Sequence, residues 1–141
     1  MKTTLAIVLA SLFAGCTFES PLSPGPLKPG DYAGVFSLTA NVGTDSAYVL
    51  SNACEFTFAD SGWYSCRGSN ILNPPAGAGP YRFKGNSLYL TDQAMHLAFF
   101  DWTLILNGSF DVRFNADSLI LTQDDTQHRR YRYINLALNP Q

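Results

Sequence analysis

From Asp31 onward, apolar or aromatic residues recur on one parity and mostly polar residues on the other, the period-two pattern of strands with one buried face. The clearest run is Thr103 to Phe114. Leu104, Leu106, Gly108, Phe110, Val112 and Phe114 share a parity there, Thr103, Asn107, Ser109, Asp111 and Arg113 oppose them, and Ile105 is the exception. Rougher runs cover Tyr32 to Asn41, Cys54 to Ala59, Trp63 to Gly68, Tyr81 to Lys84, Ser87 to Asp92, Leu119 to Gln123 and Arg130 to Leu138. Turn formers separate them: Asp60-Ser61-Gly62, Gly85-Asn86 and Asn115-Ala116-Asp117. A gapless internal echo sets Phe83, Asn86, Ser87, Leu88, Leu90 and Thr91 against Phe114, Asp117, Ser118, Leu119, Leu121 and Thr122, as expected of two similar hairpins in series. Thr91 is placed to cap a single helical turn over Asp92 to His96, a segment that reads equally well as a loop.

Eight or nine short strands joined by tight turns predict an all-β domain. Closure into a small antiparallel up-and-down β-barrel of about eight strands is the economical arrangement, because it removes unpaired edges. The domain resembles the small lipocalin-like lipoproteins of Gram-negative bacteria. Gly34 in the first strand, Phe56-Thr57-Phe58 before the Asp-Ser-Gly turn, Gly79-Pro80-Tyr81 leading into Leu88-Tyr89-Leu90, and Leu104 to Phe110 carry that resemblance. Gly34-Val35-Phe36 stands where true lipocalins have Gly-x-Trp.

The N-terminus adds an address. Lys2 precedes an apolar stretch from Leu5 to Phe13 that is too short to span a bilayer, then Ala14, Gly15 and Cys16. Leu12-Phe13-Ala14-Gly15-Cys16 resembles the lipobox of bacterial lipoproteins, in which the cysteine is diacylated on sulfur, becomes the new N-terminus and is acylated again. The resemblance makes residues 1–15 a signal peptide and Cys16 a lipid anchor, since two or more acyl chains hold a protein stably on a membrane. Thr17 follows, whereas an Asp there marks inner-membrane retention in enteric relatives, so the resemblance implies the outer membrane, facing periplasm or surface. Residues 16–30 form a tether. Pro21, Pro24, Pro26 and Pro29 keep it extended, and Thr17 to Pro29 reach up to roughly 40 Å at about 3.1 Å per residue. Residues 31–141 are the barrel domain.

Composition narrows the chemistry. Nine basic against eleven acidic residues cannot supply the broad positive surface that phosphate binding requires, so no nucleic acid partner is expected. His96 and His128 stand singly, with no closely spaced Cys or His pair, which predicts no metal site and no cofactor. Neither histidine belongs to a Ser/His/Asp or Cys/His constellation, and the chain is not expected to be an enzyme. Asp92 and Asp101 flank His96 in the ambiguous segment, and Asp124-Asp125 read as a solvated turn. In His128-Arg129-Arg130-Tyr131-Arg132-Tyr133, strand geometry separates Arg130 and Arg132 from Tyr131 and Tyr133, which suggests a charged, solvated strand edge. Asp45-Ser46-Ala47 and Asp117-Ser118-Leu119 resemble the acceptor sites of a periplasmic O-glycosylation system.

With Cys16 acylated, Cys54 and Cys66 remain as an even pair in an oxidising compartment, and a disulfide between them is expected. A three-residue turn over Ala59-Asp60-Ser61 sets the two cysteines directly opposite; a four-residue turn with a bulge at Gly62 makes them diagonal neighbours.

An eight-stranded barrel either fills its interior with side chains or holds one small ligand. Phe36, Phe56, Phe58, Phe83, Leu104 and Phe110 are the candidate lining for a small apolar ligand; Leu88, Leu90, Leu106, Phe114 and Leu119 share the inward parity. Two other readings stand beside carriage. One is a passive envelope or assembly component. The other is a protein-binding barrel like the membrane-bound lysozyme inhibitors, whose Ser-Gly-x-x-Tyr segment is partly matched by Ser61-Gly62-Trp63-Tyr64.

Overall fold

A computed structural model of the chain describes residues 27–70, 74–115 and 118–139. Cys16, the signal segment and most of the tether lie outside the described residues. Among those described, eight strands follow one another: β1 (Gly30–Ala40), β2 (Tyr48–Phe58), β3 (Trp63–Gly68), β4 (Gly77–Lys84), β5 (Ser87–Leu90), β6 (Gly108–Asn115), β7 (Ser118–Asp125) and β8 (Arg130–Leu138). Each pairs antiparallel with the next, and β8 returns to β1, closing an up-and-down barrel. The predicted architecture holds.

Closure depends on how near β1 comes to β8. A Cβ at Gly34 would lie 1.8 Å from the Asn135 carbonyl oxygen, so only glycine permits this seam. The alternating residues then point inward as the pattern requires. Phe36, Phe56, Phe58, Tyr64, Phe110, Leu88, Leu90, Leu121, Ile134 and Leu136 are all fully buried, in one continuous core. Aromatic rings pack near the end where β1 starts: Phe58 meets Tyr32, Phe56 and Tyr81 at centroid distances of 5.7, 5.8 and 5.2 Å. We call this end proximal. Leu27, buried just before β1, joins its core, and the Tyr32 hydroxyl donates to the Lys28 carbonyl (2.7 Å). The distal end carries the β1–β2, β3–β4, β5–β6 and β7–β8 connections.

Three expectations need correction. The long alternation from Thr103 does not begin a strand. Residues 91–107 leave the sheet and cross the distal end with one 3-10 turn, Trp102–Leu104, and β6 starts only at Gly108. Asp101 caps that turn, its carboxylate accepting from the Thr103 amide at 3.0 Å. Of the two readings left open for Asp92 to His96, the loop is the one the structure shows. Phe114 shares the inward parity, yet it lies at the last positions of β6 and stays partly exposed, its ring 6.2 Å from that of Phe83.

The third concerns the cysteines. The β2–β3 turn has four residues, 59–62, closed by the Gly62 amide donating to the Ala59 carbonyl (3.0 Å), with Gly62 at φ +78°. That length pairs Phe58 with Tyr64 and Phe56 with Cys66, and moves Cys54 opposite Gly68. Cys54 and Cys66 are thus diagonal neighbours, and both are free, buried thiols.

Candidate functional site

The distal mouth gathers polar side chains inside an otherwise apolar barrel. On β8, Arg130 and Arg132 occupy the same inward parity as Ile134 and Leu136; on β7, Gln123 and Asp125 continue the inward row of Leu119 and Leu121. Arg132 is therefore no solvated edge residue. A closed barrel has no edge at β8, and the guanidinium is buried with 3% of its surface exposed. Asp125, read from sequence as part of a solvated turn, also belongs to this inner cluster.

The 3-10 turn lies over the two arginines. Arg132 donates through Nη1 to Gln123 Oε1 (2.7 Å) and through Nη2 to the Thr103 carbonyl (2.5 Å), and the Asp125 carboxylate stands 3.6 Å away. Arg130 reaches the Thr103 hydroxyl and Asp101 Oδ2, the latter at 3.2 Å. Gln123 in turn donates to the Asn107 and Ser109 carbonyls (2.9 and 3.2 Å), fastening the end of the covering segment to β6. One donor is left over. Arg132 Nε is buried and has no acceptor among the described residues, although nearly every buried polar group in a folded protein is paired.

Electrostatics sharpen the picture. Burial pulls the Arg132 pKa down and the Asp125 carboxylate resists that shift. Burial pushes Asp125 up, but the His128 ring and amide, which bond its oxygens at 2.9 to 3.1 Å, and Arg132 together hold it below the ordinary carboxylate range. Thr103, donating from its hydroxyl and amide, does the same for Asp101.

The covering segment has its own anchor. Asp92 and His96 both have 6% of their side-chain surface exposed, with His96 Nε2 2.6 Å from Asp92 Oδ2, and Asp92 Oδ1 accepts from the Ala78 amide (3.1 Å). The imidazole stacks on Phe100 and meets Trp102 edge-on, at 5.1 and 5.6 Å. Between these fixed points the segment turns apolar side chains to solvent: Met95 is 100% exposed and Phe99 88%, with Leu97 and Trp102 also more than half exposed.

Of the six predicted lining residues, Phe36, Phe56, Phe58, Phe83 and Phe110 are buried in the core, packed with one another and their neighbours. Leu104 packs on that core from the covering turn. Grooves open around Glu55 and Arg67, which pair at 2.5 Å. Burial pushes the Cys54 and Cys66 thiols up to about 12; the Glu55 carboxylate adds to it at Cys54, and at Cys66 Asp92 adds while the Gly77 amide offsets part. Both are unreactive as nucleophiles near neutrality. Ser46 is exposed in the β1–β2 connection, its hydroxyl 3.1 Å from that of Thr44, and Ser118 bonds the Asn115 carbonyl.

Sequence reasoning missed the mouth. Arg132, Gln123 and Asp125 alternate with outward residues just as the core residues do, and extending the inward parity of Ile134 and Leu136 by one step would have placed Arg132 inside. Comparison with protein-family models, curated proteins and solved structures finds no match for this chain.

Proposed function

We propose that the chain is an outer-membrane-anchored envelope lipoprotein whose barrel binds a small amphiphile at the distal mouth, an acidic group against Arg132 and a short apolar part beneath the 91–107 segment. The buried Nε of Arg132, without an acceptor among the described residues, carries the proposal. A carboxylate or phosphate oxygen placed there would complete a charge-assisted hydrogen-bond set in a low-dielectric setting, where such bonds are strongest. Because the aromatic core is filled, the ligand occupies the outermost layer only, and carriage of a long chain deep in the barrel is not supported.

The anchor and the address rest on the Leu12 to Cys16 segment and the proline-rich residues after it. Leu27 is buried in the core at the proximal end, opposite the mouth.

Titration of the detergent-solubilised full-length chain with decanoate and with decanol tests the site. Saturable decanoate binding that weakens about tenfold or more in Arg132→Met, with decanol indifferent to the substitution, is the expected result; a charge-assisted hydrogen bond contributes roughly 1.5 to 3 kcal/mol. Equal decanoate affinity in both proteins, or none in the wild type, removes Arg132 as the recognition group.

A further inference from the structure

The charges of the distal mouth are matched before any ligand arrives. Arg130 and Arg132 enter from β8, and they stand against Asp125 on β7 and Asp101 on the covering segment. Both carboxyls stay ionised near neutrality. Hydrogen bonds from Thr103 hold Asp101 below the ordinary carboxylate range; burial pushes Asp125 up, but His128 and Arg132 hold it below that range as well.

The donors are nearly all engaged too. Arg132 donates through Nη1 to Gln123 and through Nη2 to the Thr103 carbonyl, while Arg130 donates to the Thr103 hydroxyl and to Asp101. Arg132 Nε is the buried side-chain donor without an acceptor among the described residues, and one ligand oxygen satisfies it. A mouth shaped around a phosphate dianion would instead offer unpaired guanidinium groups and several donors at once.

Any further negative charge on the ligand therefore meets repulsion without a new bond. Asp125 Oδ2 lies 3.6 Å from Nη1 of Arg132. One guanidinium width and one hydrogen bond separate it from an oxygen seated on Nε, a span inside the about 10 Å over which salt screens charge, and burial weakens the screening. Asp101 is joined to the same guanidinium through Thr103, whose amide donates to Asp101 and whose carbonyl accepts from Nη2. The cost of desolvating the ligand rises with the square of its charge, whereas its attraction to the arginines rises only in proportion, and the two carboxylates trim that attraction.

We propose that Asp125 and Asp101 restrict the mouth to amphiphiles whose head group carries one negative charge, a carboxylate or a phosphodiester, and exclude the doubly charged phosphate monoester. The proposal rests on the reading of Arg132 as the recognition group. Asp125 is the stronger filter, because its side chain is 21% exposed against 48% for Asp101.

Decanoate, decyl methyl phosphate and decyl phosphate, which share one chain length, are titrated into the full-length chain in a single nonionic detergent. At about pH 8.5, where decyl phosphate carries two charges, it should bind about tenfold or more weakly than its methyl ester, and decanoate should bind saturably. Asp125→Asn should tighten both phosphates, decyl phosphate by the larger factor, so that their ratio narrows; Asp101→Asn should narrow it less. Comparing the ratio between proteins in the same micelles cancels partition into detergent, and an unchanged β-sheet circular dichroism spectrum shows that each variant folds.

A second arm needs no variant. At about pH 5.5, below a second phosphate pKa of about 6, decyl phosphate takes up a proton and should approach its methyl ester in affinity. The ester is singly charged throughout and so reports any change in the protein's own groups, His128 included. Decyl phosphate that equals its ester at the higher pH, a gap that persists at the lower pH, or a ratio unmoved in both variants overturns the filter and leaves Arg132 as the recognition group. Ester and decanoate binding that is absent, or unchanged in Arg132→Met, overturns both.

Discussion

Single residues set what the mouth can do. Arg132 is held by two hydrogen bonds and a nearby carboxylate yet has no acceptor for Nε among the described residues, while Asp125 balances it from the neighbouring strand. The Asp125 carboxyl is depressed in the folded protein by His128 and Arg132 against the upward push of burial. A group whose folded pKa lies below its unfolded value stabilises the fold above the unfolded pKa, about 3.9 for Asp, and that contribution disappears as pH falls through the folded value. Urea denaturation of wild type and Asp125→Asn at several pH values checks the sign: the variant should have the lower midpoint above about pH 5, with the gap closing on acidification. A gap that widens as pH falls would mean that Asp125 is not stabilised as the carboxylate.

At the scale of elements, turn length decided what composition could not. Four residues between β2 and β3 instead of three move Cys54 from opposite Cys66 to opposite Gly68, and with that change the expected bridge becomes two buried thiols. Both thiols have pKa values near 12 through burial, so neither should react with iodoacetamide at pH 7.5 in the folded protein. Both should label promptly in 6 M guanidinium without any reductant; labelling that requires prior reduction would restore the disulfide. The alternation was legible wherever a strand had a core to face, as in Phe56-Thr57-Phe58 and Leu119 to Leu121. It misled at Thr103 to Asn107, because Leu104 and Leu106 also face the core, but from a segment laid across the barrel end. Periodicity records which way a side chain points and not which element delivers it. The Arg130-Tyr131-Arg132-Tyr133 alternation was likewise visible, but its inward side had to be read from Ile134 and Leu136 further along the same strand, whose parity puts both arginines on the interior.

For the whole molecule, the closed barrel separates two ends with different chemistry. The proximal end is aromatic, with Phe58 in edge-to-face contact with Tyr32 and with Tyr81, and Leu27 in the same buried core. The distal end holds every group the proposed site uses and carries the exposed Met95, Leu97, Phe99 and Trp102. A stable, filled core and a polar, loosely covered mouth are compatible because loops can open at low free energy while the strands beneath stay intact. Amide chemical-shift mapping during a decanoate titration of the full-length protein in detergent tests this division most directly. Binding should move the resonances of Thr103, Gln123 and Arg132 and leave those of Phe58 and Tyr81 in place. Shifts centred on Phe58 and Tyr81, or saturation with no change around Arg132, would contradict it.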